Sequence, residues 1–315
     1  MSEVNNVKNE AASQGITTMV ERDMQKVAAR QKVVKIISQI IIYIFLLSIA
    51  LIVLFPFYWM IISSLKSLTE YRYNVPTLFP EKILFSNYAI AFTEGNLGTL
   101  FANTLYVGLV STIFSLIITV LSAFAFARLE FKGKDTLFAI LLATMMIPGE
   151  LFTITNYSTV HQFGWINTYT VLIVPFLVSV FYIYLLKQNF MQIPNELYLA
   201  AKVDGTTDLK YLWKVMIPLA LPTLISITIL KMMGSWNSYM WPNLVTSKDS
   251  MMLVTNGIRN ANFSVGAMGG EGNAADINYP VQMAAVAIVS APLFLVFLFL
   301  RKYIMKGVSR SGIKG

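Results

Sequence analysis

Residues 196–222 read ELYLAAKVDGTTDLKYLWKVMIPLALP. Apolar Leu197, Ala200 and Ala201 recur at helical spacing, and Asp204-Gly205 then interrupts them with a turn pair. Thr206 or Thr207 can cap a second short helix, with Asp208 in its first turn favouring the positive dipole end. Leu209, Leu212 and Trp213 give that helix an apolar side, and Pro218 and Pro222 sit where the next apolar run begins. The stretch predicts helix, tight turn, helix, between two long apolar runs where a bare membrane protein needs only a short loop. On periodicity alone it reads equally as an interfacial helix pair or as a docking surface for a partner.

Composition places this segment in a membrane protein. Of 315 residues 56% are hydrophobic and 13% charged, with a mean hydropathy of +0.62, whereas soluble domains carry roughly 25% charged residues. The chain has no cysteine and one histidine, His161, which excludes a disulfide framework, thiol chemistry and a multi-histidine metal site. The net charge of +8 is spread over short loops between apolar runs, so orientation in a bilayer explains it better than nucleic acid. No G-x-x-x-x-G-K-[ST] sequence occurs, so the chain cannot cradle a nucleotide itself. Serine–histidine, zinc and paired-carboxylate constellations are also missing, which leaves a membrane enzyme without parts.

A span needs about 20 mostly apolar residues. Stretches at 36–64, 100–128, 136–161, 169–190, 215–239 and 280–303 qualify, and each must be helical because lipid offers the backbone no hydrogen-bond partner. Prolines 56, 148, 175, 218, 222 and 292 predict kinks within or at the ends of these helices. One set of segments holds Lys26, Arg30, Lys32 and Lys35; Arg128, Lys132 and Lys134; Lys187, Lys202, Lys210 and Lys214; and Arg301, Lys302, Lys306, Arg310 and Lys314. The alternate loops hold only Lys66, Arg72, Lys82, Lys248 and Arg259. That bias puts both termini and residues 196–222 in the cytoplasm of a multi-pass cell-membrane protein.

Three segments follow: a cytoplasmic N-terminal stretch 1–35, a six-helix membrane domain 36–308, and a cytoplasmic tail 309–315. Within the domain lie the polar loop 194–216 and two long outer loops, 65–99 and 240–279. Residues 1–35 are polar and mixed in charge, unlike a cleavable signal peptide; Thr18–Lys35 reads either as an amphipathic helix or as a floppy tail. Ordered loops as long as the outer pair usually have a task. A docking surface for an external protein is the reading for 65–99, and a linker is an equal alternative for the run Gly266–Asn278.

Ala200-Ala201, then Asp204-Gly205, then Ile217-Pro218 resemble the EAA signature of ABC importer permeases. Leu199 stands where that family has a glutamate before Ala-Ala, and Glu196 lies one turn earlier, so the contact made by that glutamate does not carry over. Pro56-Phe57-Tyr58 with Ser63-Ser64-Leu65-Lys66, Asn87-Tyr88, Asn103-Thr104 and Ala123–Phe131 with Gly133-Lys134 resemble the carbohydrate-importer branch. Met146-Ile147-Pro148, Trp236-Asn237 and the terminal Gly312–Gly315 fit as well, and together they resemble the smaller permease of maltose-type systems. The resemblance implies an all-α integral membrane protein of six transmembrane helices with a cytoplasmic coupling-helix loop, the type I importer permease fold. It implies docking of Ala200, Ala201, Asp204, Gly205, Leu209, Ile217 and Pro218 into an ATPase, and a tail with Ser311, Gly312 and Lys314 reaching toward the ATPase dimer. It also implies a heterodimer with a second permease and an external solute-binding protein. ATP and magnesium would lie on the ATPase, with no cofactor or metal on this chain; membrane lipid is a further partner.

Candidates for a solute path are Glu150 inside the third span and Trp236, Asn237 and Tyr239 at the outer end of the fifth. A carboxylate at mid-membrane costs about 2.5–3.5 kcal/mol on insertion scales and usually faces a cavity or partner. Lys231 could pair with Glu150 or line the path, Trp241 joins the outer aromatic set, and Tyr182 and Tyr184 read as packing. An anionic solute would favour arginines facing the path, and the spans offer none away from their cytoplasmic ends at Arg128 and Arg301, which leans toward a neutral solute. The expected function is import of a sugar or oligosaccharide by alternating access. Alternatives are an ABC permease for glycerol phosphate or a peptide, and a secondary transporter, which would need more embedded ionisable groups than Glu150 and Lys231.

Overall fold

The computed structural model describes residues 2–261, 263–265 and 276–309. The tail residues Ser311, Gly312 and Lys314 and most of the glycine-rich run lie outside the described residues. The chain divides into two units, Met1–Met60 and Ile61–Gly315. The described residues of the first belong to a single helix, α1 (Ser2–Ser64), that continues through residues 2–35 of the polar segment without a break. Its part Val34–Ser64 is long and apolar enough to cross a membrane.

In the second unit, α2 (Leu97–Arg128) is also a complete span, about 48 Å long at 1.5 Å per residue. Three spans are bent pairs, each with an anticipated proline in the break or within two residues of it. α3 (Lys134–Thr144) meets the arm Gly149–Gln162, which contains α4 (Thr153–Gln162), at 82°, with Pro148 in the break. α5 (Tyr169–Ile173) runs into a 3-10 turn holding Pro175, and α6 (Val180–Met191) then departs at 44°. After α7 (Asn195–Val203) and α8 (Asp208–Tyr211), the arm Asp208–Leu219 turns by 80° into α9 (Leu221–Trp236), with Pro218 before the bend and Pro222 after it. α10 (Tyr279–Ser309) completes the set, and Tyr279–Arg301 is the sixth segment able to span. The described residues contain no strand, only one isolated bridge between Ser264 and Ile277.

α2 is the pillar of this unit. Gly108, Ser111, Thr112, Ser115, Thr119 and Ala123 are buried along one face, small residues that let α6 and α9 approach closely. At Gly108 an added Cβ would lie 3.3 Å from the Met232 sulfur. Leu105, Leu109, Ile113, Ile117 and Leu121 stay exposed on another face. At the far end of α2, Arg128 Nη2 donates to the carbonyls of Phe190 (2.9 Å) and Ile193 (2.5 Å), tying α2 to the C-terminal end of α6.

The loop 65–99 contains short helices at Leu68–Tyr71 and Ser86–Glu94. Buried Asn87 donates from Nδ2 to the carbonyls of Ser64 and Lys66 (2.8 and 2.9 Å), and Tyr88 Oη meets Ser64 Oγ at 2.8 Å. Buried Glu70 accepts from Thr77 Oγ1 at 2.6 Å and from the Glu81 amide. The loop 240–279 is pinned by the Asn103-Thr104 pair. Asn103 Nδ2 donates to the carbonyls of Ser250 and Met252, its Oδ1 accepts from Tyr169 Oη, and Thr104 Oγ1 accepts from the Val254 amide. Two motif pairs noted in the sequence are thus structural clamps.

Candidate functional site

The segment 196–222 folds as helix, turn, helix. α7 ends in a paired cap: the Thr206 amide donates to the Ala201 carbonyl (2.8 Å) and the Gly205 amide to that of Lys202 (3.0 Å). This Schellman arrangement needs a left-handed residue between the two donors, and Gly205 supplies it at φ +68°. Thr207 caps α8 by accepting from the Lys210 amide. A contact not anticipated from the sequence locks the two helices together: Asp208 Oδ1 accepts from Tyr198 Oη and Lys202 Nζ, each at 2.8 Å. The hydrogen bond to Asp208, and then that to Tyr198, raises the Lys202 ammonium above its ordinary pKa. Tyr198 also packs on Tyr211, ring centroids 5.1 Å apart.

The segment has two faces. Tyr211, Leu212 and Met216 are buried with Phe124, Leu186 and Phe190, and Ala201 and Ile217 pack half-buried against the same cluster. The other face keeps Leu197, Leu199, Val203, Leu209 and Trp213 exposed, Val203 to 88%. Ala200, Asp204, Gly205 and Pro218 are exposed as well. A Cβ on Gly205 would meet nothing within 4 Å, so that face is open. Residues Leu212–Met216 form a π-helix between α8 and the bend at Ala220, a wider turn often found at functional positions.

A second feature lies between α2, the α5–α6 break and α9: a cavity of about 330 Å³. Ser111, Ser179, Tyr182, Ser235, Ser238, Trp241 and Lys231 contribute to its wall. Lys231 Nζ donates to the Phe176 carbonyl at 2.6 Å, an acceptor beside the break made by Pro175. Of the two roles open to Lys231, the pair with Glu150 does not form, and Lys231 lines the cavity. Glu150 sits exposed in the 3-10 turn Gly149–Phe152, at the bend of the third span. Trp236, Asn237 and Tyr239 come together around a different hollow of about 280 Å³ with Val254 and Val289. There Trp236 is buried and donates from Nε1 to the Val289 carbonyl, while the Arg259 guanidinium lies over the Tyr239 ring at 5.7 Å.

Of the residues taken from the sequence as packing or outer aromatics, Tyr182 and Trp241 line the larger cavity, whereas Tyr184 stacks on Phe138. The serines Ser111, Ser179, Ser235 and Ser238 were missed. Their only sequence signal is hydroxyls in an apolar run, which also serves helix packing. His161 is exposed in the last turn of α4.

The model of the family "Binding-protein-dependent transport system inner membrane component" matches residues 15–310. The chain is 29% identical over 270 residues to the arabinooligosaccharides transport system permease protein AraQ of Halalkalibacterium halodurans, covering 85% of this chain and 93% of that protein. It is 26% identical over 268 residues to the sn-glycerol-3-phosphate transport system permease protein UgpE of Yersinia enterocolitica, covering 83% and 92%. A crystal structure of a bacterial ABC transporter involved in import of the acidic polysaccharide alginate contains a chain that superposes with a TM-score of 0.76 at 25% identity, covering 85% of this chain and 96% of that one. With the helix pair at Gly205, the bent spans and a family match over nearly its whole length, the chain belongs to the inner membrane components of binding-protein-dependent transport systems, as a permease subunit of an ABC importer.

Proposed function

We propose that this permease moves a sugar or oligosaccharide by alternating access, as one half of a heterodimer with a second permease. The observation that carries the coupling role is the α7–α8 pair, whose open face exposes Leu199, Val203, Leu209 and Trp213. That face takes a groove of a separate ATPase dimer, which binds ATP and magnesium. Closure of the dimer pushes on α7 and α8, and the buried side, through Ala201, Ile217 and Tyr211, passes the motion to α2, α6 and α9. The tail with Ser311, Gly312 and Lys314 adds a second contact to the ATPase, and a solute-binding protein delivers solute at the loops 65–99 and 240–279. Both termini then face the cytoplasm. Single cysteines introduced into this cysteine-free chain at Val203 and Phe79 should be labelled from opposite sides of a sealed membrane.

Sugar is favoured by the arabinooligosaccharide and alginate systems among the similar proteins, and glycerol phosphate is the second reading because of the glycerol phosphate permease. Glu150 and the hollow beside Trp236, Asn237 and Tyr239 are further candidate contacts along the path. The test is ATP hydrolysis by the complete complex in lipid, titrated with its binding protein across a saccharide panel. Stimulation by one glycan class supports the reading. Silence toward every sugar ends the carbohydrate assignment, and the absence of any co-purifying ATPase ends the coupling assignment.

A further inference from the structure

The cavity between α2, the α5–α6 break and α9 contains a cation without an anion. Among the described residues, Lys231 has no carboxylate within ion-pair distance, and no aspartate or glutamate lines the cavity wall. Its one assigned partner is the neutral carbonyl of Phe176. A lysine in a membrane span is costly, and such residues normally face a cavity, pair with a counter-charge, or mark a substrate route. Lys231 faces a cavity and lacks the counter-charge. Around it stand hydroxyls of Ser111, Ser179, Tyr182, Ser235 and Ser238, a set suited to sugar hydroxyls. α6 begins at Val180, directly after Ser179, so its positive dipole end adds to the same potential. The lean toward a neutral solute rested on missing arginines, but the cation here is a lysine.

We propose that this cavity takes an acidic saccharide, a uronate-containing oligosaccharide, with the solute carboxylate displacing the Phe176 carbonyl as partner of Lys231. Lys231 is then the residue of this chain that selects acidic over neutral glycans. The proposal rests on the saccharide-import reading and narrows its substrate class.

The experiment uses the complete complex, purified through this chain with its co-purifying subunits and binding protein, in sealed liposomes supplied with ATP. Uptake of labelled trigalacturonate, arabinotriose and glycerol 3-phosphate is compared for the wild type, Lys231→Gln and Lys231→Arg. Glutamine keeps a donor for the Phe176 carbonyl while removing the charge, so a merely structural lysine predicts little change. Trigalacturonate should be the preferred solute, its uptake should fall on the order of tenfold or more in Lys231→Gln, and Lys231→Arg should retain most of it. Preference for arabinotriose, or unchanged trigalacturonate uptake in Lys231→Gln, overturns the proposal and leaves saccharide import standing. Uptake of glycerol 3-phosphate alone overturns both. If Lys231→Gln is not recovered with its partners, the wild-type preference and Lys231→Arg decide: indifference to solute charge, or loss of uptake with the charge retained, overturns the proposal.

Discussion

Replacing Gly205 separates backbone conformation from crowding. Gly205 holds φ +68° in the cap that turns α7 into α8, and a Cβ there would touch nothing within 4 Å of this chain. Any intrinsic cost of a side chain is therefore conformational. Left-handed backbone costs an ordinary residue about 1–2 kcal/mol, which lowers the population of the native turn roughly 5–30-fold relative to its alternatives. Asparagine tolerates this region far better than a β-branched residue. Gly205→Val should therefore lose most binding-protein-stimulated ATP hydrolysis and uptake, Gly205→Asn should retain most of both, and membrane levels of the two variants should match. The assay pairs stimulated ATPase in proteoliposomes with quantification of the chain in membranes. Wild-type uptake in Gly205→Val would refute the importance of the turn. Equal failure of valine and asparagine would show that the ATPase tolerates no side chain there, placing the effect in the interface and not in φ.

Ala201→Asp puts a carboxylate against the cluster of Tyr211, Leu212 and Met216, and should abolish uptake while the chain still reaches the membrane, as read by uptake and immunoblot. Asp208→Ala removes the shared acceptor of Tyr198 and Lys202, and should reduce coupling, seen as a lower ratio of solute moved to ATP hydrolysed. Because the Lys202 pKa is raised in the fold, its contribution is complete below the ordinary lysine value and fades only as pH rises through the higher folded one. The wild-type to Lys202→Met ratio of stimulated ATPase should therefore stay flat between about pH 6 and 9. Gly257→Ala drives a Cβ to within 2.4 Å of the Leu100 side chain; overpacking of this kind costs about 1–3 kcal/mol, measurable as a lower thermal midpoint of the purified complex. Asn103→Ala removes the partner of the Ser250 and Met252 carbonyls and the Tyr169 hydroxyl; the buried Met252 carbonyl left unsatisfied costs about 1–3 kcal/mol, and the same thermal assay reports it.

The six spans, their proline bends and the helix–turn–helix of 196–222 were legible in the sequence because each follows from local chemistry. A run of apolar residues has one stable form in lipid, and a glycine after Asp204 ends a helix; prolines accompany three bends, whereas Pro56 and Pro292 lie inside the unbroken helices α1 and α10, where the i–4 hydrogen bond alone is lost. The caps at Gly205 and Thr207 formed where the residue types placed them. Local chemistry could not decide which distant groups meet. Lys231 found the Phe176 carbonyl 55 positions away and not Glu150, because the helix break after Phe176 leaves that carbonyl open to α9 while Glu150 is exposed at another bend. Asn103 and Asn87 look like weak motif fragments until the loops they clamp, one of them 147 positions away, are in place. The Tyr198–Asp208–Lys202 lock needs two helices folded back on each other, and the hydroxyl-lined cavity needs three spans at once. What each segment becomes depends on a residue and its near neighbours, and so could be read along the chain. Which charges pair and which hydroxyls share a cavity depends on the angles at which the bent helices cross, and is set when the chain folds.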